Sequence, residues 1–331
     1  MAFVSSLSSI SKLADDVLSG NRRALAKAIT LVESDQPGHR GDAETMLDKI
    51  VAHTGNARRI GISGAPGVGK STFIDAFGMA LVEQGQKLAV LAVDPSSRLG
   101  GSILGDKTRM EQLSLHPGAY VRPSPSAGSL GGVARRTRQV MMLVEAAGFD
   151  TVIVETVGVG QSETAVADMT DIFLLLLNPG GGDDLQGIKR GIMELADLVI
   201  VNKADGELEG AARRAQNDYR GALSLMRPKH IGWQPPVLKV SALTGRGLDA
   251  VIGQIGRFFD HLNESEALER LRADQRVAWF RDELAQQVWE HLHQVPELSH
   301  MLATETDKVR AGKRAPTAAG HALVKQIFDR S

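Results

Sequence analysis

The sequence predicts an α/β fold in which helices flank a mostly parallel β-sheet. Between residues 58 and 262, short aliphatic or β-branched runs alternate with helical segments, which is typical of strands buried on both faces. Several runs end at polar residues, as expected where a ligand lies beyond the carboxyl ends of parallel strands. The predicted strands are 59–63, 88–93, 119–122, 151–155, 172–177, 198–201 and 237–240.

A glycine-rich segment between the first predicted strand and a helix matches the P-loop pattern G-x-x-x-x-G-K-S/T and indicates a P-loop NTPase. Its glycines let backbone N–H groups point at a polyphosphate, which also lies on the positive end of the helix. Lys70 would reach the β- and γ-phosphates, and the Ser71 hydroxyl would bind Mg²⁺. The predicted phosphate-binding residues are Gly64, Ala65, Pro66, Gly67, Val68, Gly69, Lys70, Ser71 and Thr72.

Three acidic residues are candidates for the catalytic and metal site, together with Lys70. Asp94 follows a buried strand near the P-loop, where we favour a role on Mg²⁺ or water over a turn cap. Asp106 begins the next helix and either contacts metal-bound water or is a solvated surface residue. Glu155 ends a strand and Gly158 stands three residues later, which is the D/E-x-x-G layout whose glycine N–H senses a γ-phosphate.

Val159 occupies the position after this glycine, where small Ras-like GTPases have a water-orienting glutamine. A valine side chain cannot polarise water. We therefore expect slow hydrolysis, or hydrolysis that depends on Glu155, Asp94 or a partner protein.

Two further motifs select the nucleotide. Asn202-Lys203-Ala204-Asp205 follows a predicted strand and matches the guanine signature N-K-x-D. A carboxylate accepts two hydrogen bonds from the guanine N1–H and amino group, a donor pair that adenine lacks. Ser241, Ala242 and Leu243 follow the last strand and match the weaker S-A-x element, which offers a backbone N–H to the guanine O6. The order of these motifs predicts GTP and GDP as ligands.

Composition excludes several other classes of protein. Lysine plus arginine is 38 against 39 for aspartate plus glutamate, so no net charge draws the molecule to nucleic acid or to a membrane. Cysteine is absent, which excludes disulfides and thiolate metal sites. The longest strongly apolar run, 172–177, is too short to cross a bilayer, and we expect a soluble cytoplasmic protein.

The pattern predicts three regions: an N-terminal helical segment at 1–57, a GTP-binding domain at 58–262 and a C-terminal helical region at 263–331. In the first, we expect Asn21 to cap the second helix and Asp42 to cap the third. In the last, a long helix over 263–293 carries an apolar stripe and aromatic residues that would cover the parent domain or another subunit.

The motifs GAPGVGKS, VDPSS, SLGGVARRTR, VETVGVGQSE, LLNPGGGDDLQGIKRGIME, NKAD and SAL together resemble the methylmalonyl-CoA mutase-associated GTPases of the MeaB type. That family includes the protein of methylmalonic aciduria type A and belongs to the SIMIBI class. The resemblance implies a homodimeric GTPase that gates cobalamin loading and protects or reactivates adenosylcobalamin-dependent methylmalonyl-CoA mutase. It implies that Lys70 and Ser71 bind phosphate and metal, and that Asp94, Asp106 and Glu155 surround Mg²⁺.

The resemblance also implies that residues 178–190 form a switch that reports nucleotide state to the mutase, with Lys189 as the candidate signal. The residues themselves agree in part, because consecutive glycines lose much backbone freedom on folding and favour a loose segment until something binds. An ordinary flexible connection is the alternative. The switch and partner candidates are Gly180, Gly181, Gly182, Asp183, Asp184, Gln186 and Lys189.

The residues of the chain also bear on four other functions. A related acyl-CoA mutase is an alternative client. A nickel- or zinc-inserting GTPase needs cysteine or clustered histidine to hold its metal, and the chain has neither. A transport-linked protein kinase would transfer phosphate to protein, and no acceptor site is marked. The cobalamin enzyme itself would carry a D-x-H-x-x-G signature, which is absent, so a partner would hold the cofactor.

Overall fold

The computed structural model describes residues 7–93, 110–122, 130–156, 162–180 and 190–328. The chain divides into two compact units, Met1–Arg272 and Ala273–Ser331. The first unit begins with three helices, α1 (Leu7–Leu18), α2 (Arg22–Val32) and α3 (Pro37–Ile50), and a 3₁₀ turn, Val51–His53.

One of the two expected helix caps is confirmed. The Asn21 side chain accepts hydrogen bonds from the backbone N–H groups of Arg23 and Ala24 at the start of α2. The expected cap at Asp42 is wrong, since α3 already begins at Pro37. Proline suits the first helical position because its φ is preset and its missing N–H has no partner there.

The described residues of the first unit form one parallel sheet of seven strands in the order β3-β2-β4-β1-β5-β6-β7. Two neighbours, β4 and β5, flank the central strand β1. The predicted α/β class is thereby confirmed. The strands are β1 (Arg58–Gly64), β2 (Leu88–Val93), β3 (Ala119–Arg122), β4 (Thr151–Thr156), β5 (Ile172–Leu177), β6 (Leu198–Val201) and β7 (Val237–Lys239).

Helices cover both faces of this sheet. Alternate residues of β4 belong to different core clusters: Val152 and Val154 pack with α1 to α3, whereas Ile153 packs on the opposite face. The remaining α-helices in the described part of the first unit are α4 (Lys70–Glu83), α5 (Glu111–Leu115), α6 (Leu130–Ala146), α7 (Ser162–Met169), α8 (Arg190–Leu195), α9 (Glu209–Ser224) and α10 (Leu248–Glu264). Helices α6 and α7 share the face of α1 to α3, and α4, α5 and α10 cover the other face.

The long helix expected from residue 263 begins later, because α10 continues to Glu264 and Glu266 adopts a left-handed conformation with φ 52°. The helix α11 spans Ala267–Gln294. The second unit also contains α12 (Pro296–Arg310) and α13 (Pro316–Phe328), and Glu305 of α12 accepts hydrogen bonds from Lys308 and Arg314. Among the helices of the described ranges, none combines the length and the apolarity that crossing a bilayer requires.

Candidate nucleotide-binding site

The P-loop candidate connects the central strand to α4. β1 ends at Gly64, α4 begins at Lys70, and the Gly69 carbonyl accepts the first helical hydrogen bond from Phe73 N at 2.9 Å. Gly69 has a left-handed φ of 89°, and a Cβ there would lie 2.8 Å from the Asn202 amide nitrogen. A side chain at this position would therefore clash and strain the backbone, which explains the glycine.

Lys70 lies across the loop that precedes it. Its Nζ donates hydrogen bonds to the carbonyl oxygens of Gly64 at 2.6 Å and Ala65 at 3.4 Å. Burial lowers the pKa of the Lys70 ammonium from its usual value, while the negative charges of Glu155 and Glu163 act in the opposite direction. An ammonium with three donors, held at the mouth of a loop rich in backbone N–H groups, is suited to bind an anion.

Two candidate metal ligands lie on the same face of the sheet. Glu155 is buried near the carboxyl end of β4 and is paired in register with Ile62, which packs in the core cluster that contains α4. Ser71 is half-buried in the first turn of α4. Hydroxyl and carboxylate oxygens are the donors that Mg²⁺ prefers, so this donor set fits the ion.

The other two metal candidates, Asp94 and Asp106, lie outside the described residues. Gly158, the predicted γ-phosphate contact, also lies outside them. Within the described ranges, no cluster of three or more acidic, histidine or cysteine side chains is arranged to hold a metal ion. A nucleotide's phosphates and water commonly supply the remaining ligands of Mg²⁺.

Asn202 links the two ends of the candidate site. Its Nδ2 donates to the Val68 carbonyl of the P-loop at 2.9 Å, and its Oδ1 accepts from Ala242 N at 3.3 Å. The side chain is 1% exposed. The structure thus brings the predicted phosphate loop, the N-K-x-D motif and the S-A-L element together around one buried amide.

Asp205 and Lys203 extend the same region. The Ser241 hydroxyl donates a hydrogen bond to Asp205 Oδ2 and accepts one from Thr244 N at 3.2 Å, which fixes the orientation of the carboxylate. Lys203 adopts a left-handed φ of 55°, and its Nζ donates to the Gly67 carbonyl at 2.6 Å. Leu243 is 82% exposed, so its side chain does not contribute to the core.

Comparison with known proteins decides the family. The sequence model of the family described as Methylmalonyl Co-A mutase-associated GTPase MeaB matches residues 25–297. The chain belongs to the MeaB family of GTPases. The resemblance inferred from the motifs is confirmed.

Named relatives agree with this MeaB assignment. GTPase ArgK of Escherichia coli is 52% identical over 274 residues, which cover 82% of this chain and 83% of that protein. The Mus musculus protein named methylmalonic aciduria type A homolog, mitochondrial, is 44% identical over 332 residues, covering 97% of this chain and 80% of that protein. A crystal structure of a protein called LAO/AO transport system kinase has a TM-score of 0.78 and 38% identity, and the match covers 98% of this chain and 99% of that chain.

The MeaB-type chain is therefore a P-loop GTPase that binds guanine nucleotide. The structure describes the start of the candidate switch, residues 178–180. This segment directly follows the end of β5, and Gly180 is exposed. The other switch residues, Gly181, Gly182, Asp183, Asp184, Gln186 and Lys189, lie outside the described residues.

Sequence reasoning missed two features of the site. Glu163, 1% exposed in the first turn of α7, acts electrostatically on Lys70 although no motif position contains it. The only signal was an acid shortly after the D/E-x-x-G element. Arg246 was also missed: its guanidinium donates to the Ala204 carbonyl within the N-K-x-D motif and lies 3.2 Å from Glu209.

Proposed function

We propose that the chain is a GTP-hydrolysing chaperone that gates cobalamin loading of an adenosylcobalamin-dependent methylmalonyl-CoA mutase and protects or reactivates that enzyme. The observation that carries the nucleotide part is the buried Asn202 amide, which joins the P-loop at Val68 to the S-A-L element at Ala242. The family description and the name of the mouse relative support the choice of client. A related acyl-CoA mutase is the alternative client.

The two ends of the candidate site bind different parts of the nucleotide. The loop N–H groups and the start of α4 bind the phosphates, and Lys70 leaves its carbonyl partners to contact the β- and γ-phosphates. At the other end, Asp205 accepts hydrogen bonds from the guanine N1–H and amino group while Ser241 holds the carboxylate. Adenine lacks both of these donors, so ATP would leave the carboxylate unpaired, which disfavours that nucleotide.

Ser71 and Glu155 would hold Mg²⁺ together with Asp94 and Asp106. When bound, Mg²⁺ would supply positive charge that offsets the negative charge of the phosphates. Glu155, a buried carboxylate near the end of β4, orients the attacking water or a water bound to the ion. Since Val159 replaces the usual glutamine, basal hydrolysis is slow and leaves room for acceleration by a client.

We further propose that the cytoplasmic chain forms a homodimer through its second unit. Val277, Phe280, Leu284 and Val288 lie three or four residues apart on α11, and each is about half exposed or more. An exposed apolar stripe of this length supports the proposal that this face of α11 is buried against a second copy of the chain.

The identity of the client is tested by whether the mutase stimulates GTP hydrolysis and whether that stimulation depends on the candidate switch. Purified methylmalonyl-CoA mutase should stimulate GTP hydrolysis by the wild-type chain, and Lys189→Ala should reduce the stimulated rate while basal rate and GTP affinity stay near wild type. Coupling between nucleotide and client sites is typically worth about 1–3 kcal/mol, or about five- to 150-fold in affinity, so client binding should also shift GTP affinity. Lys87→Ala, an exposed lysine at the amino end of β2, is the matched control.

Two results would contradict this proposal. If a related acyl-CoA mutase stimulates GTP hydrolysis and methylmalonyl-CoA mutase does not, the related mutase is the client. Equal loss of basal and stimulated rates in Lys189→Ala would place Lys189 in the catalytic site instead of the switch.

One solved relative is called a transport system kinase, so phosphotransfer to protein is a second candidate function. A kinase would leave γ-phosphate on a protein, whereas the proposed reaction releases it as inorganic phosphate. Incubation with γ-labelled GTP distinguishes the two, and label retained on protein at the rate of GTP consumption would favour the kinase.

A further inference from the structure

Arg246 contacts the N-K-x-D motif although neither guanine motif contains it. It follows Ser241 in the loop that connects β7 to α10. This loop is closed on itself, because Ser241 N donates a hydrogen bond to the Arg246 carbonyl at 3.0 Å. Gly247 comes next with a left-handed φ of 89°, and a Cβ there would lie 2.5 Å from the Lys239 carbonyl oxygen. The Arg246 side chain therefore starts from a backbone position that the end of β7 fixes.

The Arg246 guanidinium reaches from this loop to the backbone of Ala204. Its Nη2 donates a hydrogen bond to the Ala204 carbonyl, and Ala204 N donates to the Val240 carbonyl at 3.0 Å. Ala204 is 1% exposed. Both polar backbone groups of this buried residue are thus bonded to the chain segment that follows β7.

The Ala204 carbonyl shares a peptide plane with the N–H of Asp205, the candidate guanine-binding acid. Because the peptide bond is planar, a donor that holds this carbonyl also limits rotation of the backbone that carries the Asp205 side chain. Asp205 has an extended backbone, with φ −138° and ψ 167°. The Ser241 hydroxyl donates to its carboxylate. The loop after β7 therefore holds Asp205 at two points, the carboxylate and the preceding carbonyl.

The other contact of the Arg246 guanidinium is an ion pair with Glu209, in the first turn of α9, at 3.2 Å. The two side chains are 55% and 52% exposed, and ion pairs between exposed side chains contribute little to stability. The bond to Ala204 differs, because a buried carbonyl that loses its donor is costly. We expect the peptide plane to rotate toward another donor when Arg246 is removed, and the Asp205 side chain to turn with it.

We propose that Arg246 is a positioning residue for guanine recognition. Through the Ala204 carbonyl, it holds Asp205 in the orientation in which the carboxylate accepts both donors of the base. Hydrogen bonds weaken steeply when donor and acceptor are misaligned, so a small rotation of the carboxylate weakens both contacts. This inference rests on the proposed guanine contact of Asp205, and Arg246 acts without touching the nucleotide.

Arg246→Met tests the proposal, because it removes every donor and keeps an unbranched side chain. Calorimetry with GDP and with inosine diphosphate, whose base keeps the N1–H and lacks the amino group, isolates the amino contact. We expect GDP affinity to fall about two- to tenfold, as for the loss of about one hydrogen bond, and inosine diphosphate affinity to fall less. The preference for GDP should therefore decline. Tm should stay near wild type, because the arginine side chain is half exposed.

Three further variants separate this role from a structural one. Arg246→Lys keeps a charged donor and should retain more of the GDP preference than Arg246→Met. Glu209→Gln removes the ion pair and keeps the carbonyl bond, so it should leave the preference within about twofold of wild type. Arg220→Met, at an exposed arginine of α9, is the matched control and should change neither affinity.

A double variant tests whether Arg246 acts through Asp205. In an Asp205→Asn background, Arg246→Met should have no further effect on the GDP preference, because residues that act through one another are not additive. An undiminished effect in that background would assign Arg246 an independent role.

Two other results would also overturn the inference. An unchanged GDP preference in Arg246→Met, or equal losses of GDP and inosine diphosphate affinity with a lower Tm, would assign Arg246 to the stability of the loop and leave the guanine contact of Asp205 intact. An unchanged GDP preference in Asp205→Asn alone would instead contradict that guanine contact, and the inference would fail with it.

Discussion

The Asp205 carboxylate is suited to bind the guanine base, since the Ser241 hydroxyl orients it and Asp205 lies in the segment that follows β6. Asp205→Asn should weaken GTP binding by about ten- to hundredfold, because hydrogen bonds to a charged group contribute about 1.5–3 kcal/mol. The new amide can donate to the xanthine oxygen, so affinity for xanthosine triphosphate should rise. Calorimetry with both nucleotides measures the change.

Glu207→Gln is the matched control for this exchange, because Glu207 is an exposed acid two residues away. It should leave both affinities unchanged. GTP affinity equal to wild type in Asp205→Asn would reject the guanine contact.

Glu155 belongs to the same residue-level chemistry, at the phosphate end. Glu155→Ala should lower turnover of bound GTP by about 10²–10⁴-fold with a smaller effect on affinity, because a group that acts on water matters most in the transition state. Single-turnover and equilibrium-binding measurements separate the two quantities. Glu111→Ala, an exposed acid on α5, is the control, and a loss confined to affinity would make Glu155 a structural residue.

Individual residues differ in how well the sequence predicts them. Asn202 and Gly69 occupy fixed positions in their motifs. The structure explains the need for glycine at position 69, because Asn202 Nδ2 occupies the space that a Cβ there would take. Glu163 has no such position. Its placement depends on the register of β1 with β4 and on the packing of α7, which are long-range properties.

Strands of this sheet were predictable almost to the residue, because a strand that is buried on both faces is a continuous apolar run. Strand order was not, since β4 separates β1 from β2 although they are consecutive in the chain. Helix starts were less certain. Helix α3 begins at Pro37, five residues before the cap that was expected at Asp42 from the sequence.

Arg272 provides an element-level prediction, because it ties the first turns of α11 to the amino ends of the sheet. Its guanidinium donates to both oxygens of Asp171 at 2.9 and 2.7 Å and to the Ala57 carbonyl at 2.6 Å. Arg272→Ala leaves the buried Asp171 carboxylate without this partner and should cost about 3–5 kcal/mol. Urea unfolding measures the loss.

The exposed Arg270 on the same helix is the control, and Arg270→Ala should cost less than about 1 kcal/mol. A similar small loss for Arg272→Ala would mean that the Asp171 carboxylate is solvated or paired by Arg59 N, which donates to it at 2.8 Å.

At the scale of the whole molecule, the packing of the N-terminal helices depends on the sheet. Ile10 and Leu25 belong to the same core cluster as Val152 of β4, and the first compact unit accordingly extends from Met1 to Arg272. Composition and periodicity identified these segments as helical. Composition and periodicity do not indicate which sheet face the helices cover, because amphipathic helices fit any complementary apolar surface.

The homodimer is the prediction that involves the complete chain, and it concerns the apolar stripe on α11. Phe280 is 65% and Leu284 52% exposed, whereas a stripe buried by a second copy would be protected from water. The double variant Phe280→Asp and Leu284→Asp places charges in that contact, and burial of unpaired charge is costly, so a dimeric wild type should become monomeric. Sedimentation velocity across a concentration series measures the change.

Leu225→Asp is the matched control, because Leu225 lies in the first unit and is 89% exposed. It introduces one charge on a surface outside the stripe and should leave the mass unchanged. Basal GTP hydrolysis should persist in both variants, since Lys70, Glu155 and Asp205 all belong to the first unit. A monomeric wild type, or a double variant that stays dimeric, would exclude α11 as the subunit contact.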